Sequence, residues 1–105
     1  MADKKHTIVL VQPTQNRQSR TFFEHETISA AMNGVCNMFE ARLKELYPKI
    51  KNITYDVEDL YNYIDALADC SALVYMPEIG AYVPHNRMWI KQKAFAHLSN
   101  QAGKN

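Results

Sequence analysis

The sequence predicts an α+β domain, a four-stranded antiparallel sheet with three helices in the order ββααββα. Three observations carry that expectation. Short β-branched and aromatic runs come in two pairs, each joined by a connection too short for a crossover helix, so each pair reads as an antiparallel hairpin. Three longer segments repeat apolar residues every three or four positions, the mark of amphipathic helices. Strands and helices also come in blocks rather than in alternation, which separates α+β from α/β domains.

The elements follow in order. Residues 1–5 form a polar tail. His6 to Gln12 (HTIVLVQ) is β-branched and apolar and reads as the first strand. Pro13 to Ser19 is a polar loop punctuated by proline, and Arg20 to Glu24 (RTFFE) is the second strand. Thr27 caps a helix whose apolar face is Ile28, Ala31, Met32, Val35, Phe39, Leu43 and Leu46, ending about Tyr47 where Pro48 follows. Gly34 inside that helix costs about 1 kcal/mol relative to alanine, which points to close packing of that turn. Asp56 caps the second helix, with Asp59 in its first turn and Tyr55 and Leu60 placed for a hydrophobic staple. Its face is Val57, Leu60, Tyr61, Ile64, Leu67 and Ala68, and it should stop near Asp69. Ser71 to Met76 and Gly80 to Pro84 are strands about a turn at Pro77–Gly80. Asn86 caps the third helix, with Trp89, Ile90, Ala94, Phe95 and Leu98 on its apolar side. Residues 101–105 should fray. All 105 residues therefore make one domain.

The first strand is apolar on both faces, because alternate residues point opposite ways. Ile8 and Leu10 share one face, and Val9 and Val11 share the other. Either the helices divide between the two faces of the sheet, or all three cover one and a second copy covers the other.

Composition bounds the function. Hydrophobic residues make up 47% and charged residues 22% of the chain, which excludes disorder and low complexity. A core of this size leaves little room for a deep cofactor cavity, and no cofactor is expected. No run approaches a membrane span or a signal peptide, so the chain reads as intracellular. Cys36 and Cys70 then read as reduced, buried small hydrophobes. Twelve Lys and Arg against eleven Asp and Glu leave a net charge of +1, without the basic excess that phosphate binding needs. The charges are unevenly spread. Residues 52–83 hold six acids (Asp56, Glu58, Asp59, Asp65, Asp69, Glu78) and no Lys or Arg; residues 84–105 hold four bases and no acid. That pattern fits two solvated helix faces, or an acidic surface that meets a basic partner peptide.

The chemistry-bearing constellations are weak. The three glycines lie far apart, so no phosphate loop exists. No cysteine or histidine spacing reads as a metal site. Asp65 and Asp69 stand at i, i+4, and His25 with Cys36 is the one conceivable nucleophilic pair; both read more simply as surface carboxylates and a buried thiol. The chain is expected not to be an enzyme. Six tyrosines and the adjacent Phe22 and Phe23 read as core and interface residues. Base stacking on such rings makes a direct single-stranded RNA-binding protein the alternative.

Several blocks in one order, HTIVLVQPT (His6–Thr14), Arg20-Thr21, MNGVC (Met32–Cys36) with Phe39-Glu40, ITYD (Ile53–Asp56), YIDALAD (Tyr63–Asp69), LVY (Leu73–Tyr75) and YVPHN with WIK (Tyr82–Asn86, Trp89–Lys91), resemble the enhancer of rudimentary family over nearly the whole chain. The resemblance implies three helices on one face of the sheet and a homodimer packed through the sheet faces, with Ile8 and Leu10 in the contact and Val9 and Val11 toward the helices. It also implies a non-enzymatic adaptor in the nucleus and cytoplasm. Such an adaptor binds short segments of RNA-processing or chromatin-associated proteins, in transcription, splicing, small-RNA processing and cell division. No direct nucleic acid or membrane partner is expected. Of the family's two proposed acid-directed kinase sites, Thr21-Phe22-Phe23-Glu24 keeps its acid and Thr27-Ile28-Ser29-Ala30 does not, which leaves Thr21 as the phosphorylation candidate. Phe22 or Phe23 with Met38, taken to lie on the polar side of the first helix, is the candidate surface for a partner peptide.

Overall fold

The computed structural model describes residues 5–102. The order is β1 (Thr7–Gln12), β2 (Thr21–His25), α1 (Ile28–Leu46), α2 (Val57–Ala66), β3 (Asp69–Met76), β4 (Ala81–His85) and α3 (Arg87–Ala102), with one 3-10 turn at Arg17–Ser19 between β1 and β2. This is the expected ββααββα order. Of the expected tails, 1–4 and 103–105 lie outside the described residues; the helix itself continues through 101–102 instead of fraying there.

The four strands form one antiparallel sheet in the order β2-β1-β3-β4. Both hairpins pair as expected, and the apolar β1 takes a central place between β2 and β3. Burial alternates along β1 and β3. Thr7, Val9 and Val11, with Cys70, Ala72 and Val74, are buried. Val9, Val11, Cys70 and Ala72 share a single cluster with Ala31, Met32, Val35, Cys36 and Phe39 of α1, Leu60 and Ile64 of α2, and Ile90 and Ala94 of α3. All three helices therefore contribute to the core on one face of the sheet.

Local chemistry explains the helix ends. The Thr27 hydroxyl accepts from Ala30 N at 3.0 Å and starts α1. Asp56 and Asp59 form a reciprocal capping box at the start of α2, at 3.0 and 3.2 Å. Asn86 Oδ1 accepts from Trp89 N at 3.0 Å at the start of α3. α2 stops at Ala66, three residues before the expected Asp69, because Leu67 turns to extended backbone at ψ 138°. β3 accordingly begins at Asp69 rather than Ser71. Leu67 stays buried after it leaves the helix, so it satisfied an apolar period without being helical. Gly80 is the turn residue between β3 and β4 and takes φ +63°, the left-handed region that glycine enters without steric cost.

Candidate functional site

Among the described residues, the second face of the sheet carries no helix. The strand registers place Ile8 opposite Glu24 and Leu73, Leu10 opposite Phe22 and Ser71, Leu73 opposite Pro84, and Tyr75 opposite Tyr82. These side chains point away from the core that Val9 and Val11 enter, by the strict alternation of a strand. The result is an apolar surface across all four strands. Phe22 is 60% exposed, Tyr82 42% and Leu10 38%. Contiguous exposure of this kind is characteristic of interaction sites.

Polar groups close one end of this face. Nε2 of His6 lies 2.8 Å from Glu24 Oε1 and its Nδ1 lies 2.8 Å from the Tyr82 hydroxyl. The carbonyl of His6 accepts from Tyr75 N at 2.8 Å, and the rings of Tyr75 and Tyr82 meet edge to face at 5.2 Å. One histidine thus ties the outer strands β2 and β4 across the sheet. At the opposite end, Arg20 Nε donates to Gln12 Oε1 at 2.8 Å, and Thr21 is exposed at the start of β2.

The candidate residues separate. Ile8, Leu10 and Phe22 come together on the open face. Phe23 points the other way and packs against the core cluster. Met38 is half-buried against the same cluster, so it does not sit on the polar side of α1 as expected. Phe22 and Met38 therefore lie on opposite sides of the sheet, and no one surface joins them.

The weaker chemical readings also resolve. Asp65 and Asp69 do not share a helix: Asp65 pairs with Lys91 Nζ at 2.9 Å, whereas Asp69 opens β3 and accepts from its neighbour Cys70 N at 2.9 Å. The Cys36 thiol is pushed up to about 11, first by burial and then by the Glu40 carboxylate. His25 instead packs edge-on against Phe23 at 5.7 Å. Burial likewise pushes Cys70 up to about 11. At neutral pH both sulfurs are thiols, the poorly nucleophilic form. Among the described residues no group of three or more His, Cys, Asp or Glu is placed to hold a metal ion. No helix among the described residues is long and apolar enough to cross a membrane.

One feature escaped the sequence reading. The connection 47–56 folds back to wall off a cleft of about 620 Å³ between α1 and α2. Phe39 and Leu43 of α1, Ile50 and Ile53 of the connection, and Asn62 and Tyr63 of α2 line it. Phe39 stacks edge-on with Tyr55 at 4.8 Å, and the Tyr55 hydroxyl donates to Glu40 Oε2 at 2.7 Å. Desolvation and that carboxylate raise the Tyr55 pKa. Tyr55 is thus turned onto α1 and packs against the cluster that also buries Leu60. The available signal was the presence of Tyr47, Ile50 and Ile53 between the first two helices, just before the Tyr55 assigned to the hydrophobic staple.

Comparison with known proteins gives a consistent result. The family model Enhancer of rudimentary matches residues 3–104. The chain is 53% identical over 98 residues to an Enhancer of rudimentary homolog of Arabidopsis thaliana, covering 93% of this chain and 90% of that protein. It is 52% identical over 97 residues to the homolog of Dictyostelium discoideum, covering 92% and 97%. It is 41% identical over 97 residues to the Protein enhancer of rudimentary of Drosophila virilis, covering 92% and 93%.

Proposed function

The chain belongs to the enhancer of rudimentary family, and from that premise we propose that it is a non-enzymatic homodimeric adaptor, closed through the open faces of two sheets. The observation that carries the reading is the uncovered apolar surface of Ile8, Leu10, Phe22, Leu73, Tyr75 and Tyr82, with every helix on the other side. A two-fold pair is the commonest way to cover such a face. It buries the same rows on both copies, so one sequence feature does the work of a whole interface.

The dimer presents two identical helical layers outward. Each holds short segments of partner proteins, so one adaptor tethers two partner chains and raises their effective concentration. The partners are RNA-processing and chromatin-associated proteins, met in the nucleus and the cytoplasm. The family resemblance supports this assignment.

Light scattering or sedimentation at micromolar concentration tests the first step. A mass of two chains is expected; a monomer at that concentration overturns the reading.

The exposed rings of Phe22 and Tyr82 also favour a second occupant of the same face, single-stranded RNA stacked on the aromatics. The two readings part in a titration at two salt concentrations. Phosphate contacts make affinity fall as salt rises, whereas an apolar dimer interface does not weaken that way.

A further inference from the structure

We propose that the cleft between α1 and α2 is a docking site for a short partner segment. That segment carries a leucine or aromatic anchor, with a cation on the side toward α2 and an anion on the side toward Lys44 and Lys51. The proposal rests on the adaptor reading and gives it a location.

The cleft has the volume of a ligand pocket. Its lining includes the apolar side chains of Phe39, Leu43, Ile50 and Ile53. Ile50 is 52% exposed at the mouth, so apolar surface is open to water where a side chain could enter. An anchor that fills the cleft gains the burial of its own surface and of this wall.

Charge decides what flanks the anchor. Asp59 lines the α2 side, next to Glu58, and α2 (VEDLYNYIDA) contains no Lys or Arg. Neither carboxylate has a salt-bridge partner among the described residues; the three bridges join His6 to Glu24, Arg42 to Glu45 and Lys91 to Asp65. On the other side, a smaller depression lined by Glu40, Lys44 and Lys51 shares Leu43, Asn52, Ile53 and Tyr55 with the cleft. Lys44 and Lys51 likewise have no salt-bridge partner there. The cleft therefore has an acidic border and a basic border, and a segment of matching polarity enters in one direction only. Within the acidic run 52–83, Asp65 is neutralised by Lys91 and Asp56 with Asp59 caps α2, so Glu58 and the charge of Asp59 without a counter-ion face a partner.

A second copy of this chain is a poor occupant. The cleft is not the open sheet face, so a copy docked in it would make a head-to-tail contact that builds open filaments instead of a closed pair.

The test pans a phage library of random dodecapeptides against the full chain and measures the affinity of the selected peptides for four proteins. These are the wild type, Ile50→Asp, Glu58→Lys, and Lys44→Glu with Lys51→Glu. All the changed side chains are exposed, so the fold is retained, which circular dichroism verifies. The expected peptides carry an apolar anchor between a base and an acid. Ile50→Asp weakens them by roughly tenfold or more, about 1.4 kcal/mol, and Glu58→Lys is restored by a peptide whose base is replaced by an acid. Selected peptides that bind all four proteins equally overturn the cleft as their site and leave the adaptor reading standing. A library that yields no binder overturns both.

Discussion

Phe23 lies directly against Gly34. A Cβ added to this glycine would come to 2.9 Å from Cε2 of the Phe23 ring and 2.8 Å from Nε2 of His25. Phe23 in turn packs on the core cluster, so β2 and α1 meet through a glycine, and a methyl there would require both rings to shift.

Gly34→Ala is therefore expected to destabilise the protein, against the usual preference for alanine in a helix. Propensity alone favours alanine by about 1 kcal/mol. Overpacking a filled site costs about 1–3 kcal/mol, and here two rings must shift at once. A net loss of about 1 kcal/mol is expected in chemical denaturation. An unchanged or raised midpoint would show that Phe23 and His25 move aside freely.

Arg87 and Lys91 make a second contrast. Arg87 Nη1 donates to the carbonyl oxygens of Ile64 at 3.2 Å and Asp65 at 2.8 Å. These are carbonyls in the last turn of α2, and that of Ile64 also accepts from Leu67 N at 3.3 Å. Lys91 pairs with a half-exposed Asp65. Charged donors to backbone carbonyls contribute about 1.5–3 kcal/mol, whereas exposed ion pairs contribute about 0–1 kcal/mol. Arg87→Ala is expected to lower thermal stability clearly more than Lys91→Met. Equal losses would refute the capping role.

Much of this fold was legible because it is locally encoded. The caps at Thr27, Asp56 and Asn86 need only a few adjacent residues. Gly34 announced its close packing by breaking a helix face, though not that Phe23 and His25 were its neighbours. The two apolar faces of Ile8–Val11 follow from strand alternation. What the local pattern could not fix is tertiary. Leu67 and Ala68 keep a helical period after the helix has ended, because burial alone creates that signal. Met38 looked polar-sided until α1 was packed. The cleft at Ile50 depends on how residues 47–56 fold back, and no periodicity reports that.

Alkaline pH should destabilise the protein through its two buried thiols. Their folded pKa values are raised from 9.0 to about 11, so the unfolded state loses its protons first as pH rises. From pH 9 toward 11 the native state holds more protons than the unfolded state, and stability falls across that window. Below pH 9 the thiols contribute no pH dependence. Denaturation midpoints should therefore drop between pH 9 and 11, and Cys36→Ala with Cys70→Ala should flatten the part between pH 9 and 10, above which the raised Tyr55 and Tyr63 add their own loss. Alkylation at pH 8 should be slow in the folded protein and fast in denaturant. An equal alkylation rate in both states would contradict the burial of the sulfurs.

The open face offers the most discriminating change. Ile8→Arg with Leu10→Arg puts two cations on the row that faces away from the helices. Neither residue belongs to the core cluster, so the helical side keeps its packing. In a dimer those cations would meet their symmetry mates in an apolar contact, where an unpaired charge is not tolerated cheaply. The expected product is a folded or partly destabilised monomer in sedimentation, with a wild-type dimer beside it. A milder variant, Phe22→Ser, removes one exposed ring from the same surface without adding charge, and it should weaken dimerisation while the chain stays folded. If both variants sediment like the wild type, the apolar face is not where the two copies meet.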